Sequence, residues 1–388
     1  MRKIFLYLFV TPFLASAADL RMPKFRAVEI DTRIQIGYGV AVADVDGDKK
    51  PDIILADKNQ IVWYQNPDWK KHVIAENLTK LDHVCIAVTD IDGDGKAEIA
   101  AGAGWNPGDT ENSGAVFYLQ APADRTKMWK PIELPHEPTV HRMRWVKTEA
   151  GKYDLVVVPL HGRGNKNAQG AGAKVLSYQV PTDVTKTWET SVLDAQFHKT
   201  HNFEPVGWDK DSEQEILLAG QEGVFLLNEA KEKWSARQLT GNESDGAGEV
   251  RLGRLGNNKK FIATVEPMHG TNLVIYTKGE AKLWTRNVLD SSLNDGHALA
   301  CGDLAGVGSD QIVVGWRAMG KAGAKVGIKL FAAKDAAGQS WEQMLVDDNG
   351  MACEDLCLAD LNGDGRLDII AAGRATKNVK VYFNEASK

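Results

Sequence analysis

Three stretches of this sequence set oxygen-bearing side chains at alternate positions of a glycine-containing loop, as a chain does when it wraps a hard cation such as calcium. They are Asp90-Ile91-Asp92-Gly93-Asp94-Gly95 closing at Glu98, Asp44-Val45-Asp46-Gly47-Asp48 closing at Asp52, and Asp360-Leu361-Asn362-Gly363-Asp364-Gly365 closing at Asp368. The expected ligands are Asp44, Asp46, Asp48 and Asp52; Asp90, Asp92, Asp94 and Glu98; and Asp360, Asn362, Asp364 and Asp368. An EF-hand would need flanking helices and a bidentate Glu at position 12. Position 12 of the stretch that begins at Asp90 is Ala101, inside an apolar run. The expectation is structural calcium at hairpin tips, holding loops rather than doing chemistry.

A second set of residues suits proton transfer. Among nine His, neutral imidazoles can take a proton from a carbon α to a carbonyl while a nearby Arg stabilises the enolate. The same imidazoles would suit a second divalent metal such as Zn or Mn. The glycines of Gly162 to Gly172 carry no Lys-Ser/Thr and follow a strand without a helix, so they read as a flexible loop rather than a phosphate site.

Something must position these groups, and the acidic stretches show what it is. Each follows a short apolar run, such as Val84 to Val88, and precedes another, such as Ile99 to Ala101, which reads as strand, loop, strand. A second marker, an aromatic residue opening an amphipathic strand, recurs at Trp69, Trp129, Trp188, Trp234, Trp284 and Trp341. A seventh copy stands at the other end of the chain, in Phe25-Arg26-Ala27-Val28-Glu29-Ile30. The C-terminus stops one strand short, after Val379-Lys380-Val381-Tyr382-Phe383. The expected fold is therefore all-β: a seven-bladed β-propeller with four-stranded blades, its ring closed by the N-terminal strand. Inner strands are expected near Gly37, His83, His141, His201, Ala247, His297 and Cys353. The fourth unit keeps part of the acidic pattern in Asp209, Asp211 and Glu215, the sixth only Asp303 and the third only Asp154.

Met1-Arg2-Lys3, the apolar run Ile4 to Leu14 and Ala15-Ser16-Ala17 have the layout of a cleavable signal peptide over 1–17, leaving one propeller domain over 18–388. The protein is thus expected to be exported, periplasmic or secreted, and no stretch is long enough to span a bilayer as a helix. Losing Arg2 and Lys3 takes the net charge from -6 to -8, against a nucleic-acid partner. Four Cys, at 85, 301, 353 and 357, are too few for a disulfide scaffold and read as buried free thiols, with one disulfide as the alternative.

The acidic loops with their following Ile resemble the FG-GAP or VCBS repeat family, seven-bladed propellers that include the integrin α-subunit heads. That resemblance implies the fold, whereas the same propeller carries adhesion, scaffolding and polysaccharide lyases. Asn294-Asp295-Gly296-His297, His141-Arg142-Met143-Arg144-Trp145 and Val158-Pro159-Leu160 are similar to the propeller domain of aldos-2-ulose dehydratase, which eliminates water from keto-sugars, and more loosely to propeller ulvan lyases.

Strand direction sorts the remaining candidates. If the acidic loops join first to second strands, the starts of first strands and the ends of second strands share the opposite face. That face collects His83, His141, His201 and His297, with Trp105, His161, Arg163, Glu222, Glu266, His269, Trp316, Arg317 and Arg374. The loops Trp105 to Gly114, Gly162 to Ala173 and Trp316 to Gly327 would wall a central depression. The catalytic candidates are His83, His141, His201, His297, Arg163 and Arg317, and the substrate-binding ones Trp105, His161, Glu266, His269 and Trp316. The expected function is a carbohydrate lyase or dehydratase, with a non-catalytic glycan- or protein-binding propeller as the alternative. Paired carboxylates for glycoside hydrolysis, Glu222 and Glu266, form a further option.

Overall fold

The computed structural model describes residues 22–148, 151–230, 233–241, 246–319 and 324–385, so the expected signal peptide lies outside the described residues. Twenty-eight strands form seven antiparallel sheets of four, and among the described residues no helix occurs. The inner strands are β2 (Gly39–Ala43), β6 (Cys85–Thr89), β10 (Val140–Lys147), β14 (Thr200–Val206), β18 (Val250–Arg254), β22 (Gly296–Gly302) and β26 (Cys353–Ala359). Each touches the next, and β26 returns to β2, so the ring is closed.

Closure occurs where the sequence placed it. In the last blade β1 (Lys24–Asp31) pairs with β28 (Asn378–Glu385), in a sheet ordered β1-β28-β27-β26 with β27 at Asp368–Gly373. The register runs from Lys24 opposite Glu385 to Asp31 opposite Val379. Asp31 then ties the seam to the first blade, accepting from the Tyr64 hydroxyl at 2.8 Å and from Lys71 Nζ at 3.1 Å.

Second strands are apolar on both faces because neighbouring blades cover both. All five residues of β3 (Asp52–Ala56) and all six of β7 (Glu98–Ala103) are buried. Outer strands alternate, as in β17 (Lys233–Gln238), because one face meets water. The recurring Trp fills the gap between blades. Trp188 lies 5.3 Å from Tyr118 and 6.5 Å from Trp145, between ring centroids, and its Nε1 donates to the Val184 carbonyl. Trp188→Ala is expected to cost ~3–5 kcal/mol of stability, the range for emptying an aromatic site. Denaturant unfolding would show it, and a loss below ~1 kcal/mol would mean that the indole fills no gap.

All four Cys are free. A Cβ on Gly102 would stand 2.5 Å from Cys85 Sγ, and one on Gly315 2.5 Å from Cys353 Sγ, so these thiols occupy room that glycine leaves in the second strands. Burial pushes the Cys85 thiol up to about 12, which makes it inert.

The acidic loops join first to second strands, as expected. Asp44, Asp46 and Asp48 offer oxygens within 4.8 Å of one another, as do Asp90, Asp92 and Asp94, and Asp209, Asp211 and Glu215. The closing residues behave differently from the rest. Asp52 is fully buried, and its two oxygens accept from the amides of Val45 and Asn66 at 2.9 Å each; Asp368 does the same with Leu361 and Asn384. Each loop is also stitched to its neighbour. Asn66 Nδ2 donates to the Leu361 carbonyl, Arg125 to that of Val45 and Asn384 Nδ2 to that of Leu304.

Candidate functional site

The face opposite these loops is built on β-bulges. In β10, β14, β22 and β26 the register slips by one residue near the strand's start, and the skipped residues are His141, His201, His297 and Glu354. A bulge sets two residues against one on the partner strand and re-aims a side chain that alternation would send elsewhere. Glu249, just ahead of β18, takes the corresponding place in the fifth blade. Five adjacent blades thus present an ionisable residue at the axis.

His201, His269 and His297 form one cluster, with ring centroids 4.7 to 5.3 Å apart. His141 stands 4.8 Å from His201 and stacks on Trp105 at 4.8 Å. Partners fix the tautomers. His297 Nδ1 is 2.5 Å from the Glu354 carbonyl, so it carries the proton and leaves Nε2 with a lone pair. Arg317 NH2 donates to His269 Nδ1 at 3.2 Å, which puts the His269 proton on Nε2. That Nε2 is 2.7 Å from Nε2 of His201, which must accept. His201 Nδ1–H then faces Glu249 Oε1 at 3.2 Å, off the line of a hydrogen bond, so both atoms are buried and unsatisfied. Arg317, His269, His201 and Glu249 therefore form one chain with a consistent proton direction.

The electrostatics keep this chain neutral at its imidazoles. Burial, with His201, Arg317 and Arg142 beside it, pulls His269 down to about 2. Burial likewise holds His141 and His297 well below the usual imidazole range and lowers His201 despite Glu249. Burial alone would raise Glu249, yet His201, Arg251 and Arg142 overcome it and hold the carboxylate at about 2. His269 is the exposed member, in a left-handed backbone conformation at φ 58° that costs a non-glycine residue ~1–3 kcal/mol.

The remaining candidates fall elsewhere. His83 is wholly buried and its Nε2 accepts from the Leu78 amide, so it pins a loop instead of joining the cluster. Arg163 is half exposed, 3.3 Å from Glu137, with NH1 donating to the Glu111 carbonyl. Glu266 is buried inside its own blade, bound by Arg286 at 2.8 Å and by the Tyr276 and Thr264 hydroxyls. Trp316 is in the core with Nε1 donating to the Lys325 carbonyl, which leaves its ring no open face for a sugar. Glu222 binds His198 at 2.8 Å, so it and Glu266 do not form a carboxylate pair for hydrolysis. Arg317 does reach the cluster, held by Glu354 at 2.6 Å and Asp295 at 3.1 Å. His161 lines a groove that includes Met268.

Sequence reasoning missed Glu249, Glu354, Asn202 and Arg142. Asn202 Nδ2 donates to Glu249 Oε2 at 2.6 Å, and Arg142 NH1 lies 3.1 Å from His141 Nε2. A signal for them exists. His141-Arg142, His201-Asn202 and Glu354-Asp355 are adjacent polar pairs near the starts of inner strands, where strict alternation would send one of each pair to the opposite face.

This ring and its loops define a seven-bladed β-propeller with FG-GAP repeats: residues 31–101 match the FG-GAP-like repeat and residues 86–119 the FG-GAP repeat. More narrowly, residues 113–279 match the beta-propeller domain of aldos-2-ulose dehydratase, the segment that holds His141, His201, Glu249 and His269. No curated protein matches the chain. Among solved structures, the extracellular domain of BT4673 from B. thetaiotaomicron is 10% identical with a TM-score of 0.54, over 94% of this chain and 40% of that one. This chain therefore spans well under half the length of that relative. BBS1N in complex with ARL6DN is 13% identical (TM-score 0.56, 95% of this chain and 98% of that one). The rhamnogalacturonan lyase YesW is 13% identical (TM-score 0.52, 93% and 76%). At such identities the likeness is one of fold.

Proposed function

We propose that this chain is an exported carbohydrate-active lyase or dehydratase working at the mouth of the propeller. The observation that carries the proposal is the relay from the Glu249 carboxylate through His201 to exposed His269, neutral at both imidazoles and flanked by Arg317. The match to a dehydratase propeller and the extracellular location of the BT4673 domain support it.

In β-elimination, a neutral imidazole takes the proton α to a carbonyl. The C–H electron pair becomes a C=C bond, the β C–O bond breaks, and the departing oxygen takes a proton from the imidazolium to leave as water or an alcohol. The accepting nitrogen is His269 Nδ1, released as Arg317 turns to the enolate; the His269 Nε2 proton passes to His201 Nε2, and Glu249 stabilises the His201 cation that forms. Neutral imidazole is the required form, and burial supplies it.

One observation favours a second reading, in which the cluster holds a divalent metal. Nitrogens of His201, His269 and His297 lie within 4.8 Å of one another, a donor set that suits Zn or Mn. The bound ion would polarise a carbonyl oxygen. Two ligands of one tetrahedral zinc stand about 3.3 Å apart on bonds of about 2.0–2.1 Å. The 2.7 Å contact between His201 and His269 is a hydrogen bond instead, so the acid/base reading takes precedence. Elemental analysis separates the two.

Elimination leaves a conjugated double bond that absorbs in the ultraviolet, so the test is absorbance of keto-sugars and uronate polysaccharides incubated with purified protein. Rising absorbance is expected. Binding without any rise would instead make this a non-catalytic glycan-binding propeller.

We propose calcium for the acidic loops. Because those loops are stitched to neighbouring blades, chelation is expected to lower Tm by several degrees, as loss of a ligand of the folded state does. An unchanged melt, with no calcium in the purified protein, would remove this assignment.

A further inference from the structure

The mouth continues sideways into a groove of about 890 Å³, at the upper end of small-ligand pockets. Its walls are the loops expected to surround a depression, 105–114 and 162–173. They are joined where the Gly164 amide donates to the Thr110 carbonyl and Arg163 to that of Glu111. Its polar lining includes Asn165, Lys166, Asn167, Lys199 and Gln221 as well as His161. It ends at Pro267 and Met268, next in sequence to His269, so a chain lying in the groove would deliver its end to the imidazoles.

Two features point to the occupant. Asn165 is only 3% exposed, and its Nδ2 donates to the carbonyls of Ala171 and His198, which fixes the amide's orientation. Its Oδ1 is buried with no partner, an acceptor waiting for an N–H or O–H donor. The lining also carries two ammonium groups, Lys166 and Lys199, and no carboxylate. Among the described residues neither Lys has an ion pair. Nearby acids lie outside this lining: Glu222 Oε1 binds His198, and Asp109 accepts from the amides of Glu111 and Asn112.

The geometry points to an acidic oligosaccharide in this groove, a hydroxyl donating to Asn165 Oδ1 and carboxylate or sulfate groups facing Lys166 and Lys199. This inference rests on the reading of the mouth as a carbohydrate site and gives its substrate class. A neutral keto-sugar monomer would need neither the groove's length nor its charge.

The test is affinity electrophoresis of the full chain carrying His201→Gln, which keeps a donor for Glu249, so that binding is read without turnover. The gels contain polygalacturonate, alginate or chondroitin sulfate, with carboxyl-reduced polygalacturonate and dextran as neutral counterparts. Retardation by at least one acidic polymer is expected, weakening with salt and absent in the neutral gels. Lys166→Ala and Lys199→Ala are each expected to weaken it about fivefold, the scale of one exposed ionic contact. Lys130→Ala, on an outer strand, should change nothing, and all three variants should melt like the parent. No retardation by any acidic polymer, equal retardation by neutral ones, or full binding after both Lys substitutions would overturn the inference. Acidic binding without ultraviolet product from wild type would remove only the catalytic reading. Product from a neutral sugar without acidic binding would remove only the groove.

Discussion

Replacing His201 by Ala is expected to lower the rate of elimination by roughly a hundredfold or more, the scale of a lost acid/base group. His201 is the middle of the relay, and among the described residues it is the imidazole that meets both Glu249, through Nδ1, and His269, through Nε2. Its removal also leaves Glu249 buried with one fewer partner, so part of the loss could come from unfolding. His201→Gln fills more of the space and keeps a donor for Glu249 while removing the titratable nitrogen. It should retain Tm within a few degrees and still lose turnover. Glu249→Gln acts through His201. It should lower kcat with KM little changed and shift the acid limb of the pH profile, which loss of packing alone would not do. Wild-type rates in His201→Gln would sink the assignment.

Deleting residues 22–31 is expected to abolish cooperative unfolding, a loss comparable with the ~5–15 kcal/mol total of a typical domain. The deletion strips β28 of its partner and exposes a long unpaired edge, which invites aggregation. It also removes Asp31, so Tyr64 and Lys71 in the first blade lose their acceptor and the seam opens on both sides. Calorimetry should show a broad, low-temperature transition. A synthetic peptide spanning Lys24–Asp31 should restore the sharp one when added in trans, and a truncated chain that melts like the parent would show that the ring does not depend on this strand.

The fold was legible because its signals are local and repeated. The acidic turns, the Trp at each outer strand and the displaced copy at Phe25 each follow from one strand's relation to the next. The face that gathers His141, His201, His269 and His297 was legible for the same reason, since strand direction alone decides it. What lay beyond reach was side-chain direction within that face. Glu266 and Trp316 end their second strands as His161 follows its own, yet they turn into a blade because Arg286 and the Lys325 carbonyl wait there. His83 lies two residues ahead of β6, which has no bulge, and it points into a loop, whereas bulged His141, His201 and His297 reach the axis. Glu249 escaped notice because the inner strand was sought near Ala247 and because the search followed imidazoles. Its part depends on a neighbour in another blade, His201, 48 positions away in sequence.

The bulges at the inner strand starts bear on how such a protein can change. A residue outside the alternation faces the axis rather than a neighbouring blade, so the packing of blade on blade constrains it less than it does the residues beside it. The ring then works as a rotary combination lock, with one settable digit per blade. Here the digits read His, His, Glu, His, Glu around five blades, while the first two blades offer Tyr38 and Val84. A designer, or a lineage under selection, could draft a new constellation one digit at a time without re-engineering any blade.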